Sequence, residues 1–129
     1  MHDRVVIDAA DAPAAIGPYS HAVRQGQTLY CSGMLPIDPG NGELVCSSPG
    51  EEARQCLRNL SRVCAAAGAT LDRALRMTVY TTELSAFAEI NDAYAEFFTG
   101  GPPARDTVGV SALPKGARVE IDALVALRD

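Results

Sequence analysis

Long apolar runs and positive charge are both scarce in this sequence. No segment approaches the roughly 20 consecutive apolar residues that a membrane-spanning helix needs, and segment 1–4 lacks the apolar core of a secretion signal. Lysine and arginine number 11 against 16 aspartate and glutamate residues, which gives a formal net charge of −5. Phosphate binding relies on clustered Lys and Arg, so nucleic acid is not expected as the main partner. We expect a cytoplasmic protein with no membrane contact.

The spacing that metal sites need is also missing. The four cysteines form no C-x-x-C pair, and the two histidines lie far from any ligand-like spacing. Structural zinc sites are built from such groupings of Cys and His. A disulfide framework would be unusual in a cytoplasmic chain. We therefore expect neither a bound metal nor a disulfide framework.

The 129 residues favour one domain, spanning 1–129, because the chain shows no repeat and no long linker. Ser48 and Glu51 form a capping box around Pro49, and helical spacing follows as far as a stop at Gly68. A second helical stripe covers 85–98. Strands are predicted at 5–7, 19–24, 28–32, 43–46, 74–82, 106–112 and 118–127. This order predicts an α+β fold with both helices on one face of a sheet.

The last two strands should each present two faces, because side chains alternate along a strand. The residues expected beneath the helices are Val108, Val110, Val119, Ile121, Ala123, Val125 and Leu127. The residues expected to point outward include Arg105, Thr107, Gly109, Ser111, Glu120, Leu124 and Ala126, joined by Tyr30. That outward face mixes small and apolar residues with a few charges, so it is not simply a surface exposed to water. We expect a partner subunit to cover it in a closed symmetric assembly, whose size the pattern does not give.

Arg105 and Glu120 are the two strongest candidates for chemistry. Arg105 follows the Gly-Pro-rich loop 100–103, and its fork of donors suits bidentate binding of a carboxylate. The alternative is a surface arginine paired with Asp106 or Glu120. Glu120 is expected on the same face as Arg105. Burial at a subunit boundary would raise its pKa and let it exchange a proton with water; the alternative is a solvated strand residue.

Four further residues are candidates for lining a pocket. Asn91 lies in an apolar helical stripe and must find partners if it is buried; a structural hydrogen bond is the alternative. Tyr19 lies at a junction between loop and strand and is able to roof a pocket, or simply to pack. Ser32 and Gly33 end a predicted strand, where a hydroxyl and a backbone amide are able to meet an anionic group. A plain turn explains them equally well.

Six short motifs lie in a specific order along the chain. They are Ala14-Ala15-Ile16-Gly17-Pro18-Tyr19-Ser20, Ser32-Gly33-Met34-Leu35-Pro36, Ala65-Ala66-Ala67-Gly68, Ile90-Asn91 with Tyr94 and Phe97-Phe98, Pro103-Ala104-Arg105, and Leu113-Pro114-Lys115-Gly116 with Val119-Glu120-Ile121. Each motif is short, but their order and spacing together are specific. On these motifs, the chain resembles the RidA/YjgF family over almost its whole length.

The resemblance implies a chorismate-mutase-like α+β fold with a mixed sheet and two helices on one face. It also implies a homotrimer with a central β-barrel and active sites in the clefts between subunits. The implied activity is hydrolytic deamination of reactive 2-imino acids, such as 2-aminoacrylate and 2-iminobutanoate, to 2-keto acids and ammonia. No cofactor or metal is implied.

The resemblance also implies a role for each candidate residue. Arg105 would bind the substrate carboxylate, and Glu120 would hold and activate the attacking water. The residues implied to line the pocket are Tyr19, Ser32, Gly33, Asn91 and Thr107. Some members carry cysteine where this chain has Thr107, and loop 99–103 looks shorter than in typical members, which leaves the preferred size of substrate open.

Two other functions remain as alternatives. One is a binding module that holds small carboxylates between subunits without turnover. The other is a translation-inhibiting endoribonuclease, an activity attributed to some relatives; the acidic charge and the lack of a histidine pair weaken it.

Overall fold

The computed structural model describes residues 3–128, which form six strands and two helices. The strands are Val5–Ile7 (β1), Ala22–Gln25 (β2), Thr28–Met34 (β3), Ala74–Thr81 (β4), Ala104–Gly109 (β5) and Val119–Ala126 (β6). The helices are Pro49–Ala66 (α1) and Phe87–Ala95 (α2), and 3-10 turns lie at Leu71–Arg73, Leu84–Ala86 and Pro114–Gly116. In this range no helix is long and apolar enough to cross a membrane.

Helix α1 begins and ends where the sequence predicts. The Ser48 hydroxyl accepts a hydrogen bond from the Glu51 amide at 3.1 Å, and Pro49 occupies the first turn. At the other end, Gly68 has a φ of +74°, a left-handed conformation that glycine adopts without strain. Leu57 and Leu60 on the buried face of α1 are completely inaccessible to solvent. The helix therefore provides one wall of the core.

The strands form one mixed sheet in the order β1-β2-β3-β6-β4-β5. Neighbouring strands are antiparallel except for the parallel pair of β4 and β5. Strand β6 lies at the centre, and Val119, Ile121 and Val125 are 0% exposed beneath the helices. The predicted α+β fold with a mixed sheet and two helices on one face is therefore confirmed.

The face of the sheet away from the helices is here called the open face. It carries Tyr30, Tyr80, Val108, Glu120, Asp122 and Leu124, which alternate with buried neighbours or pair across the strands. Tyr30 is 48% and Val108 is 40% exposed. The Tyr80 hydroxyl donates a hydrogen bond to Asp122 Oδ2 at 3.1 Å. The open face thus mixes large apolar side chains with a small acidic network.

The orientation predicted for β5 is wrong. The register pairs Arg105 with Met77, which is fully buried under the helices. Paired residues on neighbouring strands share a face, so Arg105, Thr107 and Gly109 lie on the helix side and Val108 lies on the open face. The prediction assumed that valine marks the core. In this edge strand, polar side chains occupy the helix side instead.

Several predicted boundaries also differ from the structure. Strand β2 begins at Ala22, because residues 19–21 belong to an irregular loop, and β5 ends at Gly109, so Val110 and Ser111 lie beyond it. Segment 43–46 forms only an isolated bridge between Ile37 and Leu44. The second helix is shorter than the predicted 85–98. A 3-10 turn at Leu84–Ala86 precedes it, and α2 itself ends at Ala95.

His21 anchors the loop that leads into β2. Its position in the predicted strand 19–24 favours a strand surface residue, but it is only 5% exposed. Its Nδ1 accepts a hydrogen bond from the Ala9 amide at 2.9 Å, and its Nε2 donates one to the Pro13 carbonyl at 2.7 Å. The ring is therefore a structural brace that holds the segment before Tyr19 against the sheet.

Candidate active site

Four of the predicted site residues meet in one cavity. This cavity has a volume of about 370 Å³ and is lined by Ile16, Tyr19, Ser32, Gly33, Leu35, Pro114 and Glu120. It joins the loop before β2, the end of β3 and the start of β6. Its walls are mainly apolar, and Glu120 supplies the charged group. A larger cavity of about 560 Å³, bordered by Val5, Arg24 and Leu127, contains none of the predicted residues.

A β-bulge in β3 brings Gly33 against Glu120. The pairing of β3 with β6 shifts by one residue between Cys31 and Met34, so that Ser32 and Gly33 together oppose Asp122. A Cβ atom built on Gly33 would overlap the Glu120 carboxylate and lie 3.0 Å from its Cδ. Only glycine leaves the carboxylate in its present position. The bulge therefore fixes where the acid group lies in the cavity.

Hydrogen bonds fix the other polar groups of the cavity. Ser32 Oγ donates to the Ser20 carbonyl at 2.6 Å, which ties β3 to the preceding loop. The Tyr19 hydroxyl accepts a hydrogen bond from the Ile16 amide at 3.2 Å, and Tyr19 itself is 43% exposed. Tyr19 thus lines the cavity as a partly exposed wall.

The surroundings of Glu120 favour its protonated form. Burial raises the pKa of the Glu120 carboxyl, and the negative charge of Asp122 two residues along β6 raises that pKa further. Raised carboxyl pKa values in a cleft are typical of groups that transfer protons. The start of β6 is also held firmly, because Arg118 Nε donates to Glu52 Oε2 at 2.5 Å and Glu52 is 1% exposed.

The other three predicted residues lie on the helix side of the sheet. The Arg105 guanidinium lies 4.7 Å from the ring centroid of Tyr94 and 5.8 Å from that of Phe87. The structure assigns no hydrogen bond or ion pair to Arg105 within residues 3–128. Arg105 does not pair with Asp106, the alternative considered above. Asp106 lies on the open face of β5 and forms an ion pair with Arg76.

Three buried polar atoms on the same side of the sheet as this guanidinium have no hydrogen-bond partners in the described chain: Asn91 Oδ1, Tyr94 Oη and Thr107 Oγ1. Asn91 lies between Phe87 and Tyr94 on one face of α2, and Thr107 follows Arg105 on the same side of β5. Buried polar atoms usually find partners, and exceptions often mark functional sites. This group of residues is called the arginine cluster below.

One chain does not bring Arg105 and Glu120 together. They were predicted on the same outward face, but Arg105 lies on the helix side and Glu120 on the open face. Strand β4 also separates β5 from β6. The structure therefore divides the predicted residues into two groups: Tyr19, Ser32, Gly33 and Glu120 in the cavity, and Asn91, Arg105 and Thr107 in the arginine cluster.

Sequence reasoning missed the aromatic neighbours of Arg105. Both rings, Phe87 and Tyr94, fall in the apolar stripe predicted over 85–98, although Phe87 is 44% exposed. A signal was present, because positions 87, 91 and 94 share one helical face with a polar residue at their centre. Among residues 3–128, no group of three or more His, Cys, Asp or Glu side chains is placed to hold a metal ion.

The model of the family described as Endoribonuclease L-PSP matches residues 9–127. The chain belongs to this family. It is the RidA/YjgF family that the motifs predict. The chain is 48% identical over 121 residues to the RutC family protein y4sK of Sinorhizobium fredii, covering 94% of this chain and 96% of that protein. It is 45% identical to the 2-iminobutanoate/2-iminopropanoate deaminase of Bos taurus, covering 94% and 88%.

Solved RidA/YjgF structures have the same fold. The Escherichia coli YjgF gene product superimposes with a TM-score of 0.92 at 37% identity, covering 96% of this chain and 99% of that one. Escherichia coli TdcF, solved with bound serine, superimposes with a TM-score of 0.91 at 35% identity, covering 97% and 99%. Each superposition spans nearly all of both chains.

Proposed function

We propose that this protein hydrolyses reactive 2-imino acids to 2-keto acids and ammonia, in a site formed by two copies of the chain. The observation that carries the proposal is Arg105, a partly buried guanidinium without a carboxylate partner in the described chain. Its donors remain available for the carboxylate of a substrate. The names of the curated relatives support the reaction.

The two-copy site follows from the division of the residues between the two sides of the sheet. A cavity with an acid but no cation, and a cluster with a cation but no acid, complement each other when two chains meet. The family resemblance favours a homotrimer whose open faces form a central barrel, with three such sites between subunits. Covering the open face would bury Tyr30 and Val108, which are large and apolar. The proposed setting is the cytoplasm.

The proposed mechanism uses Arg105 for orientation and Glu120 for proton transfer. Arg105 binds the carboxylate of the protonated imine, with Asn91 and Thr107 beside it. Glu120 accepts a proton from water while the oxygen adds to C2, which gives a carbinolamine. That proton then passes from Glu120 to the amino nitrogen. Glu120 next accepts the proton of the new C2 hydroxyl while the C=O double bond forms, the C–N bond breaks and ammonia leaves. The iminium carbon is already electrophilic, so orientation and a general base suffice.

The experiment that tests this function is a coupled ammonia assay. A threonine dehydratase or an amino-acid oxidase generates the imine in place, and the assay follows the loss of imine and the release of ammonia. We expect the wild-type protein to accelerate both steps beyond the uncatalysed rate. If the protein binds 2-keto acids with saturation but accelerates nothing, it is a binding module instead.

The family description gives reason to test a ribonuclease as well. A catalytic ribonuclease would cleave RNA at a rate that falls with Arg105→Ala and with rising salt, because its substrate is a polyanion. We expect no cleavage above that of a mock purification. The net charge of −5 supports this expectation.

Replacing Gly33 with alanine should impair catalysis while the fold is retained. The added Cβ occupies the space of the Glu120 carboxylate, which is the end of a flexible side chain and is able to move away. Misplacing a general base by about 1 Å costs up to roughly 10²-fold in rate. We expect kcat to fall by about that factor, while Gly40→Ala in an exposed turn keeps the wild-type rate. A Gly33→Ala variant of full activity would contradict the assigned position of Glu120.

The rate should depend on pH through Glu120. Only the ionised carboxylate accepts the proton of water, so kcat/KM should fall as the pH drops through the pKa of this group. Because that pKa is raised, the decline should begin above the ordinary glutamate range near 4.3. Asp122→Asn removes the neighbouring negative charge and should move the decline to lower pH. A decline that Glu120→Gln leaves unchanged would assign it to another group.

A further inference from the structure

Arg105 must satisfy two requirements if it binds the carboxylate of a substrate. A substrate-binding arginine must keep its donors free, so no protein carboxylate is able to hold it. An arginine without any partner would be mobile, and ordering its side chain on binding would weaken affinity. An aromatic ring is able to order the side chain and still leave its N–H donors free. The guanidinium lies 4.7 Å from the ring centroid of Tyr94.

Tyr94 is itself rigidly held. It is only 6% exposed, and its ring lies 4.8 Å from that of Phe98 with an interplanar angle of 40°. Helix α2 presents Tyr94 toward Arg105 from a buried position, whereas Phe87 on the same helix is 44% exposed. Of the two rings, Tyr94 is both the nearer and the better fixed.

The hydroxyl of Tyr94 does not explain its position. Tyr94 Oη is buried and has no hydrogen-bond partner among the described residues. Burial raises the pKa of this phenol, while the positive charge of Arg105 acts in the opposite direction. An unpaired buried hydroxyl destabilises a protein relative to an apolar group of the same shape. The part of Tyr94 that contacts a functional group is therefore its ring face.

We propose that Tyr94 is a positioning residue, whose ring face orients the Arg105 guanidinium toward the substrate carboxylate while leaving its N–H donors free. This inference rests on the proposed role of Arg105 in carboxylate binding. A cation–π contact keeps the full positive charge available, because the ring quadrupole attracts the cation without neutralising it. Tyr94 is thus a determinant of affinity for 2-imino and 2-keto acids.

The test compares Tyr94→Leu, which removes the ring, with Tyr94→Phe, which removes only the hydroxyl. Two experiments are made: calorimetry gives the Kd for 2-oxobutanoate, and steady-state kinetics gives KM and kcat for imine deamination. We expect Tyr94→Leu to raise Kd and KM by about 10-fold, with a smaller change in kcat. Tyr94→Phe should keep the Kd within about twofold of the wild-type value. It should not lower the unfolding temperature, since it removes an unpaired polar atom.

A second set of variants separates positioning from simple packing. Ile90→Ala removes buried volume from the same helix but no aromatic ring, so it should lower stability and leave Kd near the wild-type value. In an Arg105→Ala background, Tyr94→Leu should have no additional effect on Kd, because Tyr94 acts through Arg105. Additive effects, or equal losses in Tyr94→Phe and Tyr94→Leu, would overturn the proposal.

The Kd measurement keeps this inference distinct from the deaminase itself. If the wild-type protein binds 2-oxobutanoate but does not release ammonia, the deaminase proposal fails and the Kd series still decides the role of Tyr94. If the wild-type protein binds no 2-keto acid, Arg105 is not a carboxylate site and the Tyr94 proposal is overturned.

Discussion

Arg105→Ala should reduce kcat/KM for imine deamination by about 10²–10⁴-fold. The substitution removes two charge-assisted donors that are proposed to bind the substrate carboxylate. Such hydrogen bonds contribute about 1.5–3 kcal/mol each, and every 1.4 kcal/mol or so is tenfold in an equilibrium or rate. The measurement is the initial rate of ammonia release at substrate concentrations below KM.

The fold should tolerate this substitution. Among residues 3–128 Arg105 forms no hydrogen bond or ion pair, and its guanidinium lies over two aromatic rings. We expect the unfolding midpoint to stay close to that of the wild type. Arg105→Lys keeps the charge but loses the planar fork, so its activity should lie between the two. Arg58→Ala on the exposed side of α1 is the matched control and should keep full activity. Full activity in Arg105→Ala would refute carboxylate binding at this position.

Local patterns predicted the parts of the fold that local energies decide. The capping box at Ser48 and the glycine at Gly68 predicted the bounds of α1. The Ser48 side chain satisfies a free backbone N–H in the first turn, and the left-handed conformation of Gly68 ends the helix. The alternation in β6 predicted its buried face correctly, since a central strand under two helices has every inward position filled by the core. These features depend on residues that are neighbours in sequence.

The patterns failed where neighbours in space decide. Alternation along the predicted strand 74–82 places Leu75 on the same face as Met77, but a register shift between Ala74 and Arg76 leaves Leu75 53% exposed. In β5, only the pairing with β4 determines that Arg105 faces the helices. Alternation separates the side chains of a strand into two faces but does not show which face is buried. In an edge strand that mixes polar and apolar residues, the buried face is therefore ambiguous.

The candidate residues were found by their motifs, whereas their grouping required the fold. The sequence motifs point to Arg105 and Glu120 equally, but nothing in them shows that the two side chains leave opposite sides of the sheet. The bulge that brings Gly33 against Glu120 arises from pairing between β3 and β6, which are far apart in sequence. Because Arg105 and Glu120 lie on opposite sides of the sheet, mixed oligomers of two variants test whether the two residues act across a boundary between chains.

Two inactive variants should restore activity when they are assembled together. Arg105→Ala damages the arginine cluster, and Glu120→Gln damages the cavity. If each site takes its cluster from one chain and its cavity from another, some sites in a mixed oligomer receive both intact halves. Random assembly of equal amounts should give roughly a quarter of the wild-type activity, because each half is intact with a probability of about one half. The variants are unfolded and refolded together in equal amounts, with different tags that report the mixed oligomers, and the whole refolded mixture is assayed without separating the species.

The matched control combines Glu120→Gln with Gly33→Ala. Both substitutions damage the cavity, so every site in that mixture has a defective half whichever chain supplies it, and activity should stay low. Recovery in the first mixture but not in the second would show that Arg105 and Glu120 act across a boundary between chains. The opposite result, mixed oligomers that form but remain inactive, would mean that one chain supplies both groups. The division of the sheet into a helix side and an open face makes that outcome physically difficult, since β4 would have to leave its place between β5 and β6.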